Sequence, residues 1–129
     1  MQVQVQQVQG HRLEVTNGTA VAVVDGQSGT GESFRSVELL LASLGSCMIG
    51  TMLTEAEKQG IEVSDVRVQL RPVVTMAPER VSRIRMTMTF KGKVDDVQLK
   101  ILTEAAESCK VHNSLHNGVA TSLEIVPES

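Results

Sequence analysis

The chain has 129 residues, a formal net charge of −3, two cysteines, two phenylalanines and neither tryptophan nor tyrosine, which leaves room for one core of ordinary size. Its charges form no clustered basic face and its aromatic rings are too few for a stacking platform, so nucleic acid is not an expected partner. The opening MQVQVQQVQG has no basic stretch followed by an apolar one, so it does not read as a secretory leader, and a cytoplasmic location is the default expectation.

Val3 and Val5 alternate with glutamines and the pattern slips by one at Val8, which predicts a strand with a bulge near Gln6 and Gln7. RLEV predicts a second strand, Asn17-Gly18 a hairpin turn, and TAVAVVD a third strand. Residues 26–33, GQSGTGES, read as loop. Ser36 is placed to cap a long helix and Gly60 to end it. Its apolar run over 37–53 is short for a bilayer and broken by Glu38, Ser43, Ser46 and Thr51, so a buried central helix is expected and no membrane span. Gly45 and Gly50 lie inside it at a cost of up to about 1 kcal/mol each relative to alanine, which predicts something packed very close. Leu40, Leu44, Cys47, Gly50 and Thr51 fall on roughly one face by helical spacing.

Beyond Gly60, VRVQLRP and RIRMTMTF alternate as two strands, joined as antiparallel neighbours by TMAPER. Asp95 or Asp96 caps a second helix whose stripe is Val97, Ile101, Leu102, Ala105 and Ala106, continued by Cys109. SLEIV reads as a last strand. The order is three strands, long helix, two strands, helix, strand, an α+β plan in a single domain over 1–129, with antiparallel strands around a long buried central helix. That helix is apolar on more than one stripe, so a second subunit is expected to cover it in a homodimer.

Cys47 sits in the most apolar stretch of the chain, SVELLLASLGSCMIGTM. By position its thiol pKa should rise above the free value of about 8.5, as for a packing cysteine. No helix N-terminus is expected to be available to it, so a nucleophilic role requires a cation from elsewhere, preferably an arginine. Cys109, just before Lys110 and His112, is either a helix-end thiol or a second thiol able to resolve an oxidised Cys47. A cytosolic cysteine pair that bonds is usually transient and catalytic. Cys109, His112 and His116 also read as C-x2-H-x3-H, which with Cys47 would supply four zinc ligands, although no second closely spaced cysteine pair accompanies them.

VELLLASLGSCM, followed by CKVHNSL and preceded by GHRLEV, resembles the OsmC/Ohr family of osmotically induced and organic hydroperoxide resistance proteins, whose usual patterns are PxELLLAALGSC and CPVxxTL. The resemblance covers most of the chain. It implies an OsmC-like fold, an intertwined homodimer and a thiol peroxidase acting on organic hydroperoxides with no bound cofactor or metal. The attacking and resolving roles fall on Cys47 and Cys109, and the thiolate-stabilising arginine on Arg12, with Arg35 a second candidate. The Ohr-type glutamate position is Val37 here, Glu38 is the adjacent carboxylate, and Lys110 replaces the usual proline, which points to the general OsmC-like group. A dithiol reductant, possibly a lipoylated protein, is implied as the second partner. Leu40, Leu44 and Met48 are expected to give an apolar approach to the sulfur. The competing expectation is a non-enzymatic homodimer that binds a small apolar ligand or partner.

Overall fold

A computed structural model of the chain describes residues 1–25 and 32–128, so residues 26–31 of the expected loop lie outside the described residues. Alternation of apolar and polar residues gives β1 (Gln4–Gln9), β2 (Arg12–Thr16) and β3 (Val21–Asp25), an antiparallel sheet in the order β1-β2-β3. The register pairs Val5 with Val15 and Leu13 with Val24, and it shifts between Gln7 and Gln9, so the bulge falls at Val8, one residue later than expected. The turn between β2 and β3 spans four residues because the Asn17 side chain accepts from the amides of Thr19 and Ala20 at 3.1 and 2.9 Å.

The long helix α1 (Ser36–Gln59) starts one residue earlier than expected. The Glu38 carboxylate reaches back to the Arg35 amide at 2.7 Å, so Arg35 holds the capping position that Ser36 was expected to fill. Leu41, Leu44, Met48, Met52 and Ala56 form one buried stripe at helical spacing, as a core helix requires. Gly60 ends it at φ +67, with the Ile61 amide bonded to the Ala56 carbonyl at 2.9 Å and Ile61 buried. β4 (Ser64–Thr75) and β5 (Arg80–Lys91) form a two-stranded sheet joined by a four-residue turn over 76–79. The hydroxyls of Thr75 and Ser82 bond across the hairpin.

α2 (Asp96–Glu107) is capped by Asp95, which accepts from the Gln98 amide at 2.8 Å while the Gln98 side chain accepts from the Asp95 amide. Leu102 and Ala106 are buried, but Val97, placed on the same stripe by spacing, is 70% exposed. α2 stops at Ser108, and a short helix α3 (Lys110–Asn117) follows, which the expected element order did not contain. Residues 118–128 carry no secondary structure. The expected strand SLEIV is therefore absent from the isolated chain, with Leu123 85% and Ile125 81% exposed: a strand needs a neighbour to complete its ladder, and no described strand pairs with it.

The chain divides into two compact units, Met1–Ser43 with Leu70–Met86, and Leu44–Gln69 with Thr87–Ser129. The core of the second gathers Leu44, Met48, Met52, Ile61, Leu102 and Cys109. Leu102 is 1% exposed, so Leu102→Ala is expected to cost about 2–5 kcal/mol, read as a lower denaturant midpoint with unchanged slope.

Candidate functional site

Both cysteines belong to the second unit and both are free thiols. Cys47 is half-buried on α1, and its backbone carbonyl accepts from the Thr51 hydroxyl at 2.9 Å. Cys109 is 1% exposed and is the N-cap of α3, its sulfur accepting from the His112 amide at 3.3 Å. Cysteine is a rare cap, which is why the start of α3 was not recognisable from residue types.

The cap has a consequence for Cys47. The first amides of α3 have no partner within their own helix, and those of Val111 and Lys110 favour negative charge on the Cys47 sulfur. The Val111 amide, above all, brings the Cys47 thiol below its ordinary pKa, assisted by the Cys109 thiol, the Lys110 amide and the Thr51 hydroxyl, with burial opposing them. Two expectations are thereby corrected: the mid-helix sulfur does meet a helix N-terminus, and its pKa falls. Burial pushes the Cys109 thiol up, and the neighbouring Cys47 sulfur adds to the rise. The two thiols shift in opposite directions, Cys47 downward and Cys109 upward.

Arg12 lies in the first unit, exposed on β2 between Gln9 and Asp25 in register. Glu38 and Arg35 lie in the same unit and meet through the helix cap described above. The His112 and His116 rings stack at 6.0 Å and 9°, and the His112 Nδ1 is buried with no hydrogen-bond partner. Among the described residues no three His, Cys, Asp or Glu side chains gather as a metal ion needs, so the four-ligand zinc reading is set aside.

Cys47 opens onto a groove of about 730 Å³ flanked by α1 and α2. Leu44 and Met48, expected to flank the sulfur, are buried in the core, because their spacing places them on the other stripe of the helix. The groove is instead lined by Ser46, Thr51 and Thr54, with Glu55, Lys58 and Glu104 further along. The close packing expected at Gly50 is also absent, since a Cβ there would meet nothing within 4 Å. Gly50→Ala is accordingly expected to stabilise the fold by up to about 1 kcal/mol, read as a higher melting temperature in calorimetry; a lower one would mean that something packs on Gly50 in solution.

The α+β fold sets Cys47, a thiol of lowered pKa on a long helix, beside the buried Cys109. The chain belongs to the OsmC-like protein family, whose pattern matches residues 29–124. It is similar in structure to a Psychrobacter arcticus 273-4 protein assigned to osmotic stress induction and detoxification, with 26% identity, TM-score 0.78, and 87% of this chain and 85% of that one covered. An OsmC-like protein from Mycoplasma pneumoniae superposes with TM-score 0.81 at 13% identity over 89% and 86% of the two chains. The organic hydroperoxide resistance protein OsmC of Legionella pneumophila superposes with TM-score 0.62 at 16% identity over 88% and 86%. In sequence the chain is 24% identical over 114 residues to the uncharacterized protein YmaD of Bacillus subtilis strain 168, spanning 82% of this chain and 76% of that protein.

Proposed function

We propose that the protein is a thiol-dependent peroxidase that reduces organic hydroperoxides, with Cys47 as nucleophile and Cys109 as resolving thiol. The supporting observation is the asymmetry of the two sulfurs: one faces a groove and is acidified by helix amides, the other is buried and held protonated beside it. Family membership and the Legionella relative, named for organic hydroperoxide resistance, support the substrate class.

In this scheme the Cys47 thiolate attacks one peroxide oxygen, the O–O bond breaks, and the departing alkoxide takes a proton to leave as alcohol. The sulfenic acid left on Cys47 is attacked by the Cys109 sulfur, expelling water and closing a disulfide before further oxidation. The amides of Val111 and Lys110 hold negative charge at the Cys47 sulfur without titrating. Arg12 enters as the guanidinium that the family resemblance implies, and Glu38 as the carboxylate next to the Ohr-type glutamate position, which is Val37 here. The test is to add one equivalent of an alkyl hydroperoxide to reduced protein: loss of both free thiols with one equivalent of alcohol is expected, and survival of both thiols overturns the proposal.

We also propose that the protein works as a homodimer in the cytoplasm, whose reducing conditions suit a resting dithiol. Val3 just before β1, Val5 and Val8 on it, and Leu123 and Ile125 near the C-terminus are exposed apolar residues in strand-forming patterns, as surfaces awaiting a second copy would be. Light scattering should return twice the chain mass, and the single-chain mass at micromolar concentration counts against it.

A further inference from the structure

The half of the β4–β5 hairpin next to its turn differs in charge from the rest of the chain. Residues 70–86, all in the first unit, hold four of the twelve basic residues and one of the fifteen acidic ones, which makes this segment +3 in a chain of −3. Alternation along the strands divides the segment into two faces. Leu70, Val73 and Ile84 are half-buried on one, while Arg71, Val74, Arg83 and Arg85 are exposed on the other. Arg83 and Arg85 are two residues apart, about 7 Å along the strand, and Arg71 lies beside them on the paired strand. Sequence order spreads these arginines over residues 71–85. Strand pairing gathers them into the basic face that was not expected from the sequence.

Arg71, Arg83 and Arg85 make no hydrogen bond or ion pair among the described residues, where the ion pair is Lys91–Asp65. Arg80 adds a fourth cation at the turn, its Nη1 donating to the Met76 and Pro78 carbonyls at 3.4 and 3.0 Å. Glu79, the segment's carboxylate, is in the turn and pairs with none of them. Like charges side by side on paired strands are destabilising, and an anionic partner would remove that cost.

One solvated arginine contributes little to any single ion pair. Several on one face attract a partner whose own charges are arrayed over a surface, as in a nucleic acid or an anionic bilayer. The apolar residues among them separate these two. Val74 is 54% exposed and Met76, in the turn, is 67% exposed. A phosphate backbone offers them no apolar contact, and residues 70–86 include no aromatic ring for stacking on bases. At a bilayer, such side chains enter the boundary between headgroups and acyl chains while guanidiniums stay at the phosphates.

We propose that the arginine face of β4–β5 docks the protein on an anionic lipid bilayer, with Arg71, Arg83 and Arg85 on lipid phosphates and Val74 and Met76 in the headgroup boundary. None of these residues belongs to the two-cysteine site, so the docking is independent of the peroxidase reading.

The full chain is to be sedimented with vesicles of phosphatidylcholine alone or of an equimolar mixture with phosphatidylglycerol. It is expected to pellet with the anionic vesicles at low salt, to be released as salt rises, and to stay in solution with the neutral ones. Arg71→Gln, Arg83→Gln and Arg85→Gln should each lower the partition coefficient about fivefold, and the triple variant should not pellet. Met76→Ser should weaken binding with the salt dependence retained. Lys93→Gln combined with Lys100→Gln, which removes two cations elsewhere, should change nothing. Circular dichroism checks that each variant is folded, and the single variants carry the test if the triple one is not. No pelleting with anionic vesicles, equal pelleting with neutral ones, or arginine variants that bind like wild type would overturn the proposal. Duplex DNA that strips the protein from the vesicles at equal phosphate concentration would overturn it too, in favour of a nucleic-acid surface.

Discussion

Cys47→Ser is expected to lower hydroperoxide turnover by about three orders of magnitude or more, because no other group near the groove supplies an acidified sulfur. Cys109→Ser should behave differently. Its Cys47 still has the Val111 and Lys110 amides, so one equivalent of hydroperoxide is reduced, and the sulfenic acid then waits without a resolving partner. A sulfenic-acid trap should label this variant stoichiometrically, and excess peroxide should carry it on to sulfinic acid. The wild-type protein should resist both. If Cys47→Ser retains turnover, or if Cys109→Ser recycles as fast as wild type in the presence of a thiol, the two-cysteine scheme fails. Both cysteines then stand as packing residues of a non-enzymatic dimer.

The second large effect concerns the source of Cys47's acidity. Val111→Pro deletes the amide that contributes most to lowering the Cys47 pKa, and Lys110→Pro deletes a smaller contributor. Both positions are in the first turn of α3, where proline is tolerated because those amides bond nothing within the helix. Alkylation of Cys47 should be half-maximal below the pH of an ordinary thiol in wild type, and alkylation of Cys109 above it. Val111→Pro should move the Cys47 midpoint upward, leaving less thiolate at neutral pH than in wild type. Lys110→Pro should move it in the same direction by less. An unchanged midpoint in Val111→Pro would show that a charge elsewhere, such as a guanidinium, sets the acidity. Folding lowers this pKa, so its contribution to stability is present above the unfolded thiol's pKa and is lost as pH falls through the lower folded value.

Periodicity made most of the scaffold legible. The valine alternation in β1 and β3, the paired alternation of β4 and β5, and the Asp95–Gln98 capping box each lie inside one short window, where neighbouring residues decide the backbone. The two cysteines were legible as a pair through the resemblance of VELLLASLGSCM and CKVHNSL to the family patterns. The face of α1 was read less well. Leu44 and Met48 belong to the buried stripe with Met52 and Ala56, but in a helix apolar nearly all round, spacing alone does not say which stripe the core takes. The last strand failed differently: SLEIV has a strand's composition, but a ladder is completed by whatever lies alongside, and composition does not supply that neighbour.

The order of amino acids by itself determined the five strands β1 to β5, the helices α1 and α2, the two thiols and the family to which they belong. Only the tertiary structure decided that Cys109 caps a short third helix, that this helix aims its free amides at Cys47, and that the space beside the sulfur is polar. The reason is distance along the chain. Helical and strand periods act over a few residues, whereas the bonds that acidify Cys47 join residue 47 to residues more than sixty positions away, and no local pattern encodes which amides a folded chain will bring to a sulfur.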